Sequence, residues 1–467
     1  RGIGMTGEEL VENLGTIAHS GSKAFAEAIK AAKGNLGEGL IGQFGVGFYS
    51  VFMVSDKVDV YTAGADGKGH HWSCDGSENF VIEDFDKKES GTKIVAKLKK
   101  DCEEFAKAWR IKAILEKYSA YVDFPIELNG EKIGTHRAIW LKSKSELKKE
   151  DYDEFFKFQT HTTEEPIGYL HFKADAPVEL NALIYIPASN PERLGFGKSE
   201  CEVSLYCKKV LIDAQPKGLF PDWMRFAKGV IDSADIPLNI SRESMQDSAL
   251  IQKLGRVVLK KFIKYLGELA KNEPEKYAKF FKNFGAFIKE GAATDFDNRK
   301  ELAKLLRFES SVQPEGKTVS LEDYVSGMKD GQKEIYYATA QDRAAIETAP
   351  YLEAFAARGL EVLFMYEPID TFLVGNMGEF DGKTFQSIDS ADISLSEDAD
   401  DSKSLSKEET EELKNWIKEA LGSEKASEVL TSGRLIDSPA AALNADSLTP
   451  QMRMMLKAMN PDSKMPA

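Results

Sequence analysis

At 467 residues the chain is too long for one ordinary hydrophobic core and points to about three domains, while 42% hydrophobic and 29% charged residues fit a soluble globular protein. A formal net charge of -15 excludes a general nucleic-acid binder, because phosphate backbones demand a basic surface, so any anionic ligand needs a local site. No apolar run approaches the roughly 18 to 20 residues that cross a bilayer, and the scattered Cys74, Cys102, Cys201 and Cys207 form no C-x-x-C pair, which fits a reducing compartment and argues against zinc.

The chain opens Arg1-Gly2-Ile3-Gly4-Met5, without initiator methionine or signal sequence, and a glycine turn here has nothing to turn from, so the start reads as a truncation. Thr6-Gly7-Glu8-Glu9 has the form of a capping box, followed by Leu10, Leu14 and Ile17 at helical spacing and a stop at Ser20-Gly21-Ser22. A second helix near residues 24–32 leads into the glycine-rich stretch Gly34 to Gly47, and the short apolar run Val51-Phe52-Met53-Val54 reads as a buried strand. Strands are expected at Lys57 to Thr62, around Trp72, at Phe80 to Ile82, and at Lys93 to Leu98, where Ile94, Ala96 and Leu98 alternate as an apolar face. The first domain closes near Phe124-Pro125-Ile126, and a connector runs from Asn129 to Thr135.

Strands and helices then alternate to about residue 390. Asn181 to Ile186 and Val203 to Cys207 read as strands, and Leu250 to Leu266 as an amphipathic helix. A strand at Ile335 to Tyr337, a helix from Ala344 to Ala357 stopped by Gly359, and a strand from Glu361 to Met365 predict a βαβ crossover. The Ser/Asp-rich residues 394–406 mark another boundary, and Lys407 to Leu421 predicts a charged helix burying Leu413, Trp416, Ile417 and Leu421. The division expected is 1–128, 129–393 and 394–467, in an α/β (α+β) architecture.

Two glycine signals could carry chemistry: Gly2-Ile3-Gly4 and Gly42-Gln43-Phe44-Gly45-Val46-Gly47-Phe48. Such loops let backbone amides approach phosphate oxygens, and a helix starting there adds partial positive charge. There is no Walker A loop and no strand-fed dinucleotide fingerprint, and by itself each cluster is more often a plain turn. Thr92, after Gly91, reads alone as a strand-opening threonine. Arg242, in the loop Leu238-Asn239-Ile240-Ser241 ahead of a long helix, carries a guanidinium suited to phosphate oxygens, although an ion pair with an acid such as Glu243 is its commoner fate.

Order and spacing decide. G-I-G-M-T, N-L-G-T-I-A-H-S-G and I-G-Q-F-G-V-G-F-Y-S, followed by I-P-L-N-I-S-R-E-S-M-Q at Ile236 to Gln246, N-R-K-E-L-A-K-L-L-R at Asn298 to Arg307, I-Y-Y at Ile335 to Tyr337 and E-F-D-G-K at Glu379 to Lys383, resemble the heat-shock-protein-90 chaperones of the gyrase, chaperone, histidine-kinase and mismatch-repair ATPase superfamily. The resemblance covers essentially the whole chain. The missing charged linker makes it similar to the bacterial HtpG type or its organellar relatives.

The resemblance implies a partial two-layer α/β ATPase domain, an α/β middle domain and a partial C-terminal domain. It implies nucleotide contacts at Gly4, Met5, Gly42 and Thr92, with Thr92 helping to hold adenine through water, a lid asparagine at Asn13, and a phosphate cradle at Gly45, Val46, Gly47 and Phe48. Arg242, with Gln246 alongside, would reach the γ-phosphate when the middle domain docks, so that turnover follows conformation. The implied cofactors are ATP and Mg2+, the partners non-native client proteins and, in the full-length parent rather than in this chain, a second copy of itself, and the location the cytoplasm or an organellar matrix, with no nucleic acid or membrane.

Departures from the family pattern are specific. The acid that reads the adenine amino group, the magnesium-binding asparagine and the catalytic glutamate would all stand before Arg1, and Arg1 replaces a small polar residue. The chain is therefore expected to hold about half of an ATP pocket and to hydrolyse ATP very weakly. His19 occupies a place often filled by a basic residue near the phosphates. Residues Gln451 to Met459 resemble the Met-rich helix that the family exposes to clients, and the dimerisation helices would follow. An ATP-independent client-binding module is the alternative reading. A histidine kinase lacks its phosphoacceptor box here, and a topoisomerase subunit would want a basic surface.

Overall fold

The computed structural model describes residues 2–15, 47–64, 66–77, 79–86, 89–134, 136–195, 197–236, 248–390, 405–422, 428–431, 435–436 and 438–441. They divide into two compact units, one drawn from residues 1–187, 200–220 and 227–258, the other from 188–199, 221–226 and 259–467. Mixed helices and sheets make both, as the α/β expectation requires.

In the first unit, helix α1 (Gly7–Leu14) starts at the expected capping box: the Glu9 amide donates to Thr6 Oγ1 at 3.2 Å and the Thr6 amide to Glu9 Oε2 at 2.8 Å. It ends at Leu14 with Gly15 as its cap, short of the predicted stop, and Ile17 and the second helix lie outside the described residues. Leu10 and Leu14 turn inward onto a four-stranded antiparallel sheet of β1 (Ser55–Ala63), β2 (Gly69–Cys74), β3 (Val81–Asp84) and β4 (Gly91–Leu98), in the order β3-β2-β1-β4. Period-two alternation places Val58, Val60 and Trp72 in one cluster with Leu10 and Leu14.

Two local expectations fail here. The run Val51 to Val54 is no strand: Phe48–Met53 forms a 3-10 helix in which Phe48, Val51 and Phe52 pack on the Trp72 cluster while Met53 is 75% exposed. Four apolar residues do not reveal their period, and the three-residue spacing of the packed side chains decides it. Ile94, expected on an inner face, is 52% exposed, because β4 is the outer strand and no described element covers it. The connector is also more ordered than expected, since β5 (Ile126–Leu128) and β6 (Glu131–Ile133) form a hairpin. Asn129 and Gly130, at φ 54° and 85°, make its two-residue turn. Helix α2 (Ala108–Tyr118), just before it, buries no residue among those described.

The same unit holds helix α3 (Lys149–Thr160) and a five-stranded sheet of β7 (Gly168–Ala174), β8 (Leu180–Ile186), β9 (Glu202–Cys207), β10 (Val210–Asp213) and β11 (Lys228–Asp232). The order is β10-β9-β11-β8-β7, with β11 parallel to β9 and antiparallel to β8. Both predicted strands fall in its centre as β8 and β9, where their near-continuous apolar runs are buried. Trp140, Tyr152, Phe155, Phe156, Tyr185 and Tyr206 fill the core over one face. Gly229 sits at φ +142°, where a Cβ would lie 2.1 Å from the Leu183 carbonyl oxygen, so no other residue fits between β11 and β8.

Within this aromatic core lies a buried polar network. His171 Nε2 is 3.1 Å from the Trp140 carbonyl and Nδ1 is 2.8 Å from the Tyr152 hydroxyl. A neutral ring that donates from Nε2 and accepts at Nδ1 satisfies every group. Burial holds the His171 imidazole below its ordinary value of 6.5, although the Trp140 carbonyl opposes this. Because the folded value is depressed, the unfolded chain takes up the proton first. The network's stability is complete above 6.5 and is lost as pH falls through the folded value. The urea midpoint of the protein is expected to drop over that interval, and His171→Gln to flatten the drop. An equally steep drop in His171→Gln would show that other groups cause it.

In the second unit, the amphipathic helix predicted at Leu250 to Leu266 is longer, spanning α4 (Ser248–Asn272), whose last turns belong here. Helix α5 (Pro274–Thr294) buries Tyr277, Phe280, Phe284, Phe287 and Ile288, and α6 (Arg299–Leu305) follows. The sheet comprises β12 (Arg307–Ser310), β13 (Val319–Ser320), β14 (Glu334–Thr339), β15 (Leu363–Met365), β16 (Glu379–Phe380) and β17 (Lys383–Ser387), in the order β13-β12-β15-β14-β17-β16. Helix α7 (Leu321–Ser326) follows β13 directly.

The predicted crossover is present, with β14 parallel to β15, but its helix is broken. Helix α8 (Arg343–Glu347), a 3-10 turn (Pro350–Leu352) and α9 (Glu353–Ala357) replace it, since Pro350 has no amide to continue the ladder. Gly359 stops the segment at φ +59°. Helix α10 (Pro368–Met377) packs on α5. Helix α11 (Lys407–Leu421) has the predicted limits but not the predicted burial: Leu413, Trp416 and Leu421 are exposed, Trp416 by 66%, because no described element lies over its apolar stripe. No helix among the described residues is long and apolar enough to cross a membrane.

Candidate nucleotide site

The amino-terminal turn is held by close backbone approach. Gly4 has φ +73°, and a Cβ there would lie 1.7 Å from the Ala63 carbonyl oxygen at the end of β1. Only glycine lets the turn lie against the strand, and the contact delivers the next amide to a fixed partner. Met5 N–H donates to Thr62 Oγ1 at 3.0 Å. Thr62 is fully buried, and its hydroxyl is 2.9 Å from that of Thr92, directly opposite on β4. Met5 and Thr92 thus meet at Thr62, a residue the sequence does not single out, while Gly4 rests on the neighbouring Ala63 carbonyl. The only signal of Thr62 was a hydroxyl at an inward position of an alternating strand.

Asn13 is half-buried on α1, its Nδ2 donating to the Glu9 carbonyl at 2.9 Å. Gly47 precedes the 3-10 helix, and among the described residues nothing stands within 4 Å of where its Cβ would be. Phe48 meets Trp72 edge to face at 5.7 Å, in the same cluster as Met5. Tyr49, also missed in the sequence, donates from its hydroxyl to the Leu14 carbonyl at 2.7 Å, tying the end of α1 to the segment after Gly47. Burial pushes the Tyr49 phenol up, reinforced by Cys74, so it remains a protonated donor. Gly42, Gly45, Val46, His19, Arg242 and Gln246 lie outside the described residues.

The opposite face of the sheet is polar. Burial would raise the Asp59 carboxyl, but hydrogen bonds from His71 and Lys57 outweigh it and hold the group below its ordinary range. His71 Nε2 is 2.9 Å from Asp59 Oδ1, and the imidazole stacks on Tyr61. Among the described residues no group of His, Cys, Asp and Glu side chains is suited to a metal ion. The inner face offers a glycine backbone edge, the apolar Met5 and an exposed-side threonine hydroxyl. Those groups fit the rim of a flat heteroaromatic ring; for magnesium, no described acid presents itself.

In the first unit the strand that leads toward Arg242 is anchored firmly. Asp232 ends β11 and accepts from Trp140 Nε1 at 3.1 Å, from the Lys208 amide at 2.9 Å and from the Lys209 amide at 3.0 Å. Burial pushes its carboxyl up, and these donors counter the shift. Ser233 Oγ donates to the Glu179 carbonyl at 2.6 Å, and Ile236 is buried just before the described backbone stops.

The family model described as Hsp90 protein matches residues 129–466. The chaperone protein HtpG of Desulfitobacterium hafniense is 47% identical over 466 residues, 99% of this chain and 76% of the relative. That of Desulfotalea psychrophila is 47% identical over 465 residues, 98% of this chain and 74% of the relative. The mitochondrial heat shock protein 75 kDa of Rattus norvegicus is 43% identical over 451 residues, 94% of this chain and 64% of the relative.

Proposed function

This chain belongs to the Hsp90 protein family, and from that premise we propose that it is a molecular chaperone whose action on non-native proteins is governed by ATP. The chaperone class is plain from the relatives, and the nucleotide dependence rests on one observation above all. Met5 and Thr92, two of the residues that the family pattern assigns to the nucleotide, share a single buried hydroxyl, and Gly4, a third, lies against the Ala63 carbonyl that follows it. In this reading their backbone and side-chain groups line the adenine edge, Asn13 flanks it, and Gly42, Gly45, Val46, Gly47 and Phe48 form the phosphate loop. ATP with Mg2+ would supply the phosphoanhydride chemistry when bound.

Arg242 and Gln246 would engage the terminal phosphate, on a segment that leaves the anchored end of β11. A guanidinium there neutralises charge that grows on the transferring group. The three-part division 1–128, 129–393 and 394–467 would let nucleotide state control the approach of Arg242. Non-native clients, self-association and a cytoplasmic or organellar setting complete the proposal.

One observation favours a second reading. Helix α11 carries Leu413, Trp416 and Leu421 uncovered among the described residues, a surface suited to holding apolar segments without nucleotide. Light scattering of a thermally aggregating protein separates the two. Suppression is expected to change when ATP is added, alongside saturable binding of labelled ADP. Equal suppression with and without ATP, and no ADP binding, would leave the ATP-independent reading standing.

A further inference from the structure

The C-terminal part of the described chain is fastened to the second unit at one carboxylate. Glu353 opens α9, which is seated on the sheet: Ala354 and Phe355 are fully buried, and Phe355 meets Tyr336 of β14 edge to face at 4.9 Å. From this seat the Glu353 side chain accepts three hydrogen bonds from residues 83 and 85 positions further along. The Ile436 amide donates to Oε2 at 3.1 Å, the Ser438 amide to the same oxygen at 3.2 Å, and the Ser438 hydroxyl to Oε1. Among the described residues no other hydrogen bond or ion pair joins residues 435–441 to the rest of the chain. Apolar burial adds little, since Ile436 is 53% exposed, Pro439 and Ala440 are exposed, and Leu435 and Ala441 are only half-buried. A contact made to fill space would show the reverse balance. Three donors on one ionised acceptor form and break together, because each bond depends on the same charge. The geometry also fixes a sign: a second negative charge at Ser438 would face the one on Glu353.

We propose that Glu353 is a latch, whose charge holds residues 435–441 against α9, and that loss of this charge, or a negative charge placed at Ser438, releases them as a unit. The attachment point lies in sequence between two apolar stretches. One is α11, whose Leu413, Trp416 and Leu421 are uncovered among the described residues, and the other is the methionine-rich run 451–459. Opening the latch lengthens the free tether between α9 and both stretches, so its state sets how far they reach.

Hydrogen exchange of the full chain, read by mass spectrometry of its peptides, tests the latch. Glu353→Ala is expected to speed exchange across residues 435–441 about 10-fold or more, while β14 and α10 keep the parent's rates. Ser438→Asp is expected to do the same, whereas Ser438→Asn, of equal size but uncharged, stays within about threefold of the parent. Glu353→Gln keeps an acceptor oxygen without the charge and is expected to fall between. Parent-like exchange in Glu353→Ala, equal exchange in the Asp and Asn variants, or a segment already unprotected in the parent each overturns the proposal. Should Glu353→Ala also loosen β14, Ser438→Asp, which leaves α9 untouched, decides alone. Release of residues 435–441 with β14 still protected then supports the latch, and parent-like exchange overturns it.

Discussion

An Asp370→Ala variant is expected to lose about 3–5 kcal/mol of folding stability, the largest single-site loss anticipated in the second unit. Asp370 is 1% exposed at the start of α10, and Lys289 on α5, 6% exposed at its side chain, places Nζ 2.7 Å from Asp370 Oδ1 and 3.0 Å from Glu367 Oε2. Burial alone would lower the Lys289 ammonium, but Asp370 and Glu367 outweigh that and keep it charged. Asp370 Oδ2 also accepts from the Glu367 amide at 3.0 Å, so one carboxylate both caps α10 and neutralises a buried cation. The ammonium also lies over the Phe308 ring, 5.0 Å from its centroid. Removing the carboxylate strands the charge, whereas removing both partners does not. Lys289→Met with Asp370→Leu should therefore recover most of the loss. Chemical denaturation reads both; a cost below about 1 kcal/mol for the single variant would mean that water reaches Lys289 and that the pair is not structural.

The second large effect is expected at Asp232. Its replacement by alanine leaves the Trp140 indole N–H and the Lys208 and Lys209 amides without their acceptor. Lys208 and Lys209 both have positive φ, at 51° and 69°, so the turn they form depends on outside bracing. At roughly 1–3 kcal/mol for each unmet buried donor, with solvent rescuing part at the turn, the loss should be about 3–4 kcal/mol. Asp232→Asn, which keeps one carbonyl acceptor, should cost about half as much. Unfolding followed by tryptophan fluorescence checks it, since Trp140 reports the same site. A neutral result would mean that the turn and the indole find other partners.

Much of this fold could be read from residue order because the deciding forces were local. The capping box at Thr6 and Glu9 needs only a four-residue match. Strands β8 and β9 announce themselves through apolar runs that only a buried sheet accommodates, and α11 has the limits its sequence predicts. The misreadings at Val51 to Met53, Ile94 and Trp416 share one cause, which is that they depended on neighbours. Val51 to Met53 could pack as a strand or a 3-10 turn, and the position of Trp72 selected the latter. The interruption at Pro350 was legible and overlooked, as was the Asn129-Gly130 turn. Ile94 and Trp416 have apolar side chains whose burial depends on an element lying above them, which their own sequence cannot supply.

The candidate site divides the same way. Glycine spacing and the family motifs nominate Gly4, Met5, Asn13, Gly47, Phe48 and Thr92 as candidates, and the comparisons show the family. What the linear order leaves open is why Gly4 must be glycine and which hydroxyl joins the turn to Thr92. Both answers come from the pairing of β1 with β4, which sets Thr62 opposite Thr92 and brings the Ala63 carbonyl against the turn. Local propensity and patterning determined the elements and the family. Tertiary packing decided which polar groups were sealed from water, the Thr62 hydroxyl among them, which no motif specifies.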